Sequence, residues 1–289
     1  MDRYSDLAQA LLEDCGPPQA EFFRRFPEFE KWREKSPAWW MRAADELDRE
    51  SERGLRFLLR EDPQFPPSLM AMQDPPWALC VKGNVECLRQ ASISVVGARE
   101  PATASVQWME EHLAEFLTDL PLAVVSGGAR GIDQAAHRIA IRAGRPTQVY
   151  LPSGVGCLYP SDLQDWVLPV IESGGAFVSE FHPRTPMRKW YFQARNRLIA
   201  GISPITLVVQ ARTRSGTWLT ARQVLEENRG LAVLPGSPWD GSFSGNLELL
   251  TQGGVLVRNA QDLLIFLNNE MRTKSTDFLA LGDLKSAPH

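Results

Sequence analysis

Seven short apolar runs alternate with longer stretches of helical spacing in the part of the chain after residue 92. Each run is rich in Val, Ile or Leu and ends near a glycine or a polar residue. Short buried strands separated by helices of ten or more residues are typical of a parallel sheet with helices on both faces. The pattern predicts a doubly wound, Rossmann-like α/β domain over residues 92–269, with strands at 93–97, 122–126, 147–151, 176–181, 205–210, 231–234 and 255–257.

The first third of the chain has a different pattern. Segments 5–14, 20–35 and 37–59 place apolar residues at helical spacing among many charges, which predicts a small N-terminal helical domain over residues 1–61. Prolines punctuate residues 62–91 and favour extended backbone before them, so this segment is interpreted as a connector. The polar residues 270–289 are expected to form a C-terminal tail.

Composition narrows the class of protein. No apolar run reaches the roughly 18 residues of a membrane span, and the first residues do not resemble a signal peptide, so we expect a cytoplasmic protein without membrane contact. The four cysteines form no Cys-x-x-Cys pair and have no histidine at ligand spacing, so we expect no metal site and no disulfide framework. No other cofactor is indicated.

The distribution of charge along the chain suggests a polyanionic ligand. The chain has 31 Lys plus Arg against 35 Asp plus Glu, and residues 1–62 carry the whole acidic excess. Residues 181–225, in contrast, contain eight basic residues and no acidic one. A solvated surface would explain such a run, but so would a local phosphate-binding patch on a mildly acidic protein.

Two of the predicted loops suit phosphate groups. The strand ending at residue 126 continues into a glycine-rich loop and then a helix, whose first amide groups and dipole favour an anion. A second helix begins with hydroxyls and a glycine. A tight turn and helix capping would explain the same residues. The candidates are Gly127, Gly128, Arg130 and Gly131 in the first loop, and Ser215, Gly216, Thr217 and Thr220 in the second.

The segment 187–203 mixes cations with aromatic residues. Lys and Arg neutralise phosphates, and a flat ring can stack on an unpaired base, so the combination favours single-stranded nucleic acid. Trp190, Tyr191 and Phe192 lie together here, and at least one of them is expected in the core. Arg99 follows the first predicted strand and is placed on the same rim of the sheet.

A series of motifs, taken in order, resembles the DprA/Smf family of bacterial DNA-processing proteins over about residues 62–257. The motifs are VGAR at 96–99, SGGARGID at 126–133, Ala136-His137, Tyr159-Pro160, Ser179-Glu180, RNRLIAGIS at 195–203, SGTWLTA at 215–221 and LPG at 234–236. Residues 1–61 resemble the small helical, SAM-like domain of that family in size and position.

The resemblance implies a non-catalytic protein that binds single-stranded DNA, protects it from nucleases and helps to load the RecA recombinase during natural transformation. It also implies a homodimer. The family's basic pocket maps by motif onto Arg99, Lys189, Phe192, Arg195, Asn196 and Arg197.

The chain departs from the family pattern at three positions. Gly128 stands where Leu is usual, Gln193 where Pro is usual and Gln210 where Glu is usual. The chain also ends soon after its last predicted strand, so we expect no C-terminal winged-helix domain.

The alternative interpretation is an enzyme. The scaffold also resembles nucleotide-cleaving phosphoribohydrolases, but their Pro-Gly-Gly-x-Gly-Thr loop is replaced here by Pro235-Gly236-Ser-Pro-Trp. His137 and Glu180 are the nearest candidates for acid–base catalysis. A structural role is favoured for His137 and an ion pair with an arginine for Glu180, so no catalytic residue is predicted.

Overall fold

The structure is a computed structural model that describes residues 54–273. The N-terminal helices predicted before residue 54 and the tail beyond residue 273 lie outside the described residues. Within the described range, no helix has both the length and the hydropathy needed to cross a membrane.

Nine strands and nine α-helices make up the described range. The strands are β1 (Leu55–Leu59), β2 (Ala78–Gly83), β3 (Ser92–Val96), β4 (Ala123–Ser126), β5 (Thr147–Tyr150), β6 (Ala176–Ser179), β7 (Ile205–Val208), β8 (Gly230–Val233) and β9 (Val255–Leu256). The helices are α1 (Pro67–Met70), α2 (Thr103–Trp108), α3 (Ala114–Asp119), α4 (Ile132–Arg142), α5 (Val167–Glu172), α6 (Tyr191–Ile202), α7 (Gly216–Glu226), α8 (Ser244–Thr251) and α9 (Ala260–Thr273).

All nine strands form one sheet in the order β1-β2-β6-β5-β4-β3-β7-β8-β9. Strands β3 to β9 are mutually parallel, whereas β2 runs antiparallel to β6 and β1 antiparallel to β2. The chain builds outward from β3 to β6 and then returns to place β7 on the other side of β3. The strand order therefore reverses between β3 and β7, and a crevice forms beyond the carboxyl ends of such strands.

Helices cover both faces of the parallel strands. Val96 and Val208 pack into a core with residues of α6 and α7, whereas Val95 and Leu207 face a second core that α4 and α9 help to form. Residues of β3 to β8 are therefore buried on both faces, which explains their short apolar runs. The predicted doubly wound fold is confirmed.

The structure corrects the prediction for residues 55–91. Residues 55–59 form a strand and not the end of a helix, because β1 pairs with β2, for example Phe57 with Cys80. Only Leu55 and Leu58 are fully buried in β1, and their spacing of three residues imitates a helical stripe. The predicted connector supplies β2, so the sheet begins before residue 92.

Asn246 fastens the loops that follow β7 and β8. Its side chain is fully buried at the start of α8. The side-chain carbonyl accepts the N–H of Ala211 at 2.6 Å, and the side-chain amide donates to the carbonyls of Val209 and Leu234 at 3.1 and 2.8 Å. The side chain of Asn246 thus hydrogen-bonds three backbone groups beyond the ends of β7 and β8.

Asn246→Ala is therefore expected to lower the free energy of unfolding by about 3 kcal/mol, because it leaves buried backbone groups unpaired. Denaturant unfolding measures this loss. Asn268→Ala, on the exposed face of α9, is the control and should change stability by less than about 0.5 kcal/mol. Equal stability of the two variants would contradict the fastening role.

Candidate functional site

Two connected clefts lie at the carboxyl ends of the central strands. The larger, of about 620 Å³, lies between the loops that follow β3 and β7. The smaller, of about 380 Å³, is lined by residues following β3, β4 and β5. Five residues line both clefts: Arg99, Glu100, Ala129, Phe192 and Arg195. The divide between the clefts is therefore built from two arginines, one aromatic ring, one glutamate and one alanine.

Phe192 lies half-buried on the first turn of α6. The guanidinium carbons of Arg99 and Arg195 lie 5.4 and 5.6 Å from its ring centroid, and the ring of Tyr159 meets it edge-on at 6.0 Å. Cations beside an accessible ring attract the ring electrostatically and can also attract phosphate. This arrangement suits a flat base next to an anion.

Arg195 is a buried clamp. Its side chain is 5 % exposed, and Nη1 donates to the carbonyls of Gly127 at 2.6 Å and Tyr150 at 2.9 Å. Nε donates to the side-chain carbonyl of Asn196 at 2.9 Å. These bonds tie α6 to the ends of β4 and β5, so Arg195 fixes the shape of both clefts.

Asp133 balances the buried charge of Arg195. Burial lowers the pKa of Arg195 to about 10, and the negative charge of Asp133 opposes that shift, so the guanidinium remains protonated at neutral pH. Burial raises the pKa of the Asp133 carboxyl, while Arg195 acts in the opposite direction. The two groups form a coupled buried pair beneath the clefts.

The glycine-rich loop after β4 is folded around this same carboxylate. Asp133 accepts the N–H of Ala129 at 3.3 Å. Gly131, with φ of 80°, brings the start of α4 against the preceding β3 loop, where Ile132 donates to the carbonyl of Ala98 at 3.1 Å. The backbone of Gly127 also hydrogen-bonds to Asp133, so protein groups occupy amide donors of the loop that was predicted to bind phosphate. Phosphate binding by Gly127, Gly128 and Gly131 stays a prediction that this geometry does not favour.

Arg130 points outward from the loop. Its side chain is 70 % exposed and pairs with Asp162 at 3.2 Å, near the outer wall of the smaller cleft.

The hydroxyls at the start of α7 bond within the protein. Ser215 caps the helix by accepting the N–H of Trp218 at 3.2 Å. Thr217 donates to the carbonyl of Gly97 at 2.9 Å, and Thr220 to that of Gly216 at 3.0 Å. The same four residues, 215–217 and 220, line the larger cleft, so the exposed turn at Gly216 is the part open to a ligand.

The remaining predicted residues occupy different places. Asn196 lines the larger cleft, and Lys189 is exposed just before α6. Arg197 lies outside the residues that line the two clefts. It pairs with Glu180 at 2.5 Å and Asp74 at 3.2 Å, and so holds the segment before β2 against the end of β6. The predicted ion pair of Glu180 with an arginine is confirmed.

The three departures from the family pattern have distinct surroundings. Gly128 has φ of 68°, and a Cβ there would lie 2.8 Å from Leu163 and 2.9 Å from Val149, so a leucine does not fit. Gln193 is exposed on α6. Gln210 is buried.

Gln210 joins three loops at the larger cleft. Its carbonyl accepts from the N–H of Ala102 and the hydroxyl of Ser105, and its amide donates to the hydroxyl of Ser242, all at 2.8 Å. Sequence reasoning did not find this network or the Arg195–Asp133 pair, because the partners lie 32 to 108 residues apart along the chain. The signals for Gln210 were its position just after β7 and its departure from the family pattern.

His137 does not face the clefts. It is fully buried, and Nδ1 lies 2.6 Å from the hydroxyl of Thr147. Because that hydroxyl donates to the carbonyl of Val124, it accepts the Nδ1 proton. Burial, assisted by the charge of Arg195, lowers the pKa of His137 to about 3. Among residues 54–273, no group of three or more His, Cys, Asp or Glu side chains could hold a metal ion.

Comparison with known proteins identifies relatives. Residues 56–268 match the family described as DNA recombination-mediator protein A. The chain is 35 % identical to protein Smf of Escherichia coli over 72 % of its own length and 55 % of that protein. It is 33 % identical to DNA processing protein DprA of Streptococcus pneumoniae over 75 % of its own length and 76 % of that protein. The chain thus spans about half of the first relative and about three-quarters of the second.

Two solved structures share the fold. That of DprA from Streptococcus pneumoniae has a TM-score of 0.68 at 30 % identity and covers 80 % of this chain and 82 % of its own. That of DprA from Helicobacter pylori, determined for its single-stranded DNA binding mode, has a TM-score of 0.65 at 28 % identity. It covers 75 % of this chain and 96 % of its own.

Because the guanidinium of Arg195 fills the space beside Gly127, adding a side chain at Gly127 is expected to destabilise the protein. A Cβ at this position would overlap the guanidinium, so Gly127→Ala should lower the free energy of unfolding by about 2 kcal/mol or more. Thermal and denaturant unfolding measure the loss. Gly216→Ala is the control, because no atom lies within 4 Å of its added Cβ. A Gly127→Ala variant as stable as Gly216→Ala would contradict the clamp.

His137 predicts a dependence of stability on pH. The folded protein keeps the imidazole neutral down to about pH 3, whereas the unfolded chain binds a proton near pH 6.5. The resulting stabilisation is complete above pH 6.5 and is lost progressively as the pH falls, by up to about 1.4 kcal/mol per pH unit. His137→Asn should therefore show a shallower loss of stability between about pH 6.5 and pH 5 in denaturant unfolding. An unchanged slope would refute this assignment.

Proposed function

The chain belongs to the DNA recombination-mediator protein A family, also called DprA or Smf, and from this premise we propose that it is a non-catalytic protein that binds single-stranded DNA in the two clefts. One observation carries the proposal. The half-buried ring of Phe192 lies within 5.6 Å of the guanidinium carbons of two arginines at the divide of the clefts, where the strand order of the sheet reverses.

The geometry supports a division of labour among these residues. Phe192 offers a ring to one base, and Arg99 offers its guanidinium to the neighbouring phosphate. Lys189, exposed before α6, extends the positive surface. Arg195 contributes a fixed charge from below, because its donors are already bonded to carbonyls. Both cleft volumes fall in or near the range of small-ligand sites, so each is large enough for about one nucleotide.

The charge distribution supports the same proposal. The net negative charge of the chain repels DNA at long range. The attraction for DNA must therefore come from local cations. Such binding releases counterions and weakens steeply with salt. The relative from Helicobacter pylori, whose structure concerns a single-stranded DNA binding mode, is consistent with this use of the fold.

Family membership extends the proposal to partners. We infer that the protein protects single-stranded DNA and helps to load the RecA recombinase, and that it acts as a homodimer. The recombinase and dimer roles rest on the family resemblance alone.

The nucleotide-cleaving alternative is less well supported, because the two predicted acid–base candidates are committed elsewhere and Glu100 is the one exposed carboxylate among the residues that line the two clefts. His137 is buried away from the clefts with a pKa of about 3. Glu180 is committed to an ion pair with Arg197. Asp133 borders the larger cleft, but its carboxylate is bonded to the loop and balances Arg195. These commitments favour binding over catalysis.

Arg99→Ala tests the phosphate contact. Fluorescence anisotropy with labelled oligothymidine should show binding about tenfold weaker, and a salt slope smaller by about 0.7, because one phosphate contact is lost. Arg142→Ala, which removes an exposed arginine paired with Glu110, is the control and should bind as the wild type does.

Phe192→Leu separates stacking from charge in the same assay. The affinity should fall by roughly 5- to 150-fold, corresponding to one stacked base, while the salt slope stays unchanged. Duplex DNA of equal length should compete poorly. A folded wild-type protein that does not bind the oligothymidine would overturn the proposed function.

A further inference from the structure

Trp239 is an exposed ring outside the residues assigned so far. Its side chain is 94 % exposed, the highest value among the large apolar side chains of the described residues. Tryptophan is enriched at binding interfaces, but single exposed apolar side chains are common, so the surroundings of Trp239 decide its role.

The backbone holds Trp239 in a defined position. Residues 237–240 form a turn in which Asp240 donates its N–H to the carbonyl of Ser237 at 3.0 Å. Pro238 occupies the second position of that turn, which its fixed φ favours. The N–H of Trp239 also donates to the hydroxyl of Ser237 at 3.3 Å. The ring is therefore carried on a constrained turn.

Hydrogen bonds connect this turn to the larger cleft. Gln210 donates to Ser242, which lines the cleft, and Ser242 in turn donates to the carboxylate of Asp240 through both its hydroxyl and its N–H. These two bonds chiefly lower the pKa of Asp240, and the charge of Arg212 lowers it further. Asp240, adjacent to Trp239, therefore lies within electrostatic reach of Arg212, which lines the cleft.

Arg214 adopts an unfavourable backbone conformation between Arg212 and Ser215, which both line the larger cleft. Its φ is 59°, a left-handed value, in a turn closed by the N–H of Ser215 and the carbonyl of Arg212 at 3.1 Å. Glycine or asparagine is preferred at this third position of a turn with positive φ. Its side chain is exposed. An exposed arginine kept in a strained conformation points to a role outside the fold.

We propose that Trp239, Arg212 and Arg214 form a second binding surface for the same single strand, on the loops after β7 and β8 that border the larger cleft. Trp239 stacks on a base, and the two arginines neutralise phosphates, which repeats the combination of ring and cations found at the divide. Two acids lie nearby, Asp240 on the turn and Glu100 in the cleft lining, and their charges offset part of the positive charge of Arg212 and Arg99. The exposed guanidinium of Arg214 and the ring of Trp239 are therefore the main contributors to this surface. The inference rests on the proposed function, because it extends the path of the strand bound there.

The test compares oligothymidines of about 6 and about 20 nucleotides by anisotropy. Trp239→Ala should weaken binding of the longer strand about tenfold and leave the shorter strand, held at the divide, nearly unaffected. Arg214→Gly should also weaken the longer strand and reduce its salt slope by about 0.7. Because glycine relieves the backbone strain, this variant should melt at the same temperature as the wild type or higher.

Asn228→Gly is the matched control for Arg214→Gly. Asn228 also has positive φ, at 52°, and lies after α7 outside the cleft lining. It should keep wild-type affinity for both strands.

Two results would overturn the inference while the proposed function stands. One is unchanged binding of the longer strand by Trp239→Ala and Arg214→Gly while Arg99→Ala is impaired. The other is an equal loss for both strand lengths, which would place Trp239 at the divide. Absence of wild-type binding to either strand would overturn both proposals.

Discussion

The buried guanidinium of Arg195 is the constraint on which the site depends. A charge removed from water must be paired and hydrogen-bonded, and here two carbonyls, one side-chain amide and the carboxylate of Asp133 meet that need. These contacts of Arg195 fix the end of β4, the end of β5 and the first turns of α6 relative to one another. Gly127 lacks a side chain because the guanidinium occupies the space beside it.

The clefts follow from this arrangement and from the reversal of strand order between β3 and β7. Buried polar side chains shape the clefts. These are Arg195, Asn246, Gln210 and Asp133, whose polar groups hydrogen-bond to the backbone of the loops. Other side chains remain accessible to a ligand, among them Phe192 and Arg99 at the divide and Lys189 just before α6. Buried polar groups thus shape the site, and half-exposed groups are left for recognition.

The sequence predicted the seven parallel strands because each is a short apolar run, a local pattern, and six of them, β3 to β8, are buried on both faces. It missed β1 because Leu55 and Leu58 imitate helical spacing, and β2 because its pairing with β6 lies about a hundred residues away. The three adjacent aromatic residues differ in burial. Tyr191 packs in the core against Phe181, with 4.0 Å between the ring centroids. Trp190 is 58 % exposed, and Phe192 is half-buried. Composition alone could not divide these roles, because helix geometry and distant partners decide them. The same holds for Asp133, whose carboxylate fills the loop predicted for phosphate.

Photocrosslinking of an oligothymidine that carries 5-iodouracil, followed by mass spectrometric mapping on the wild-type protein, tests the central claim most directly. Crosslinks at Phe192 or Tyr159, the rings at the divide of the clefts, are the result that this account predicts. Crosslinks confined to residues away from the carboxyl ends of β3, β4 and β7 would contradict it, since the strand would then bind a different face of the sheet.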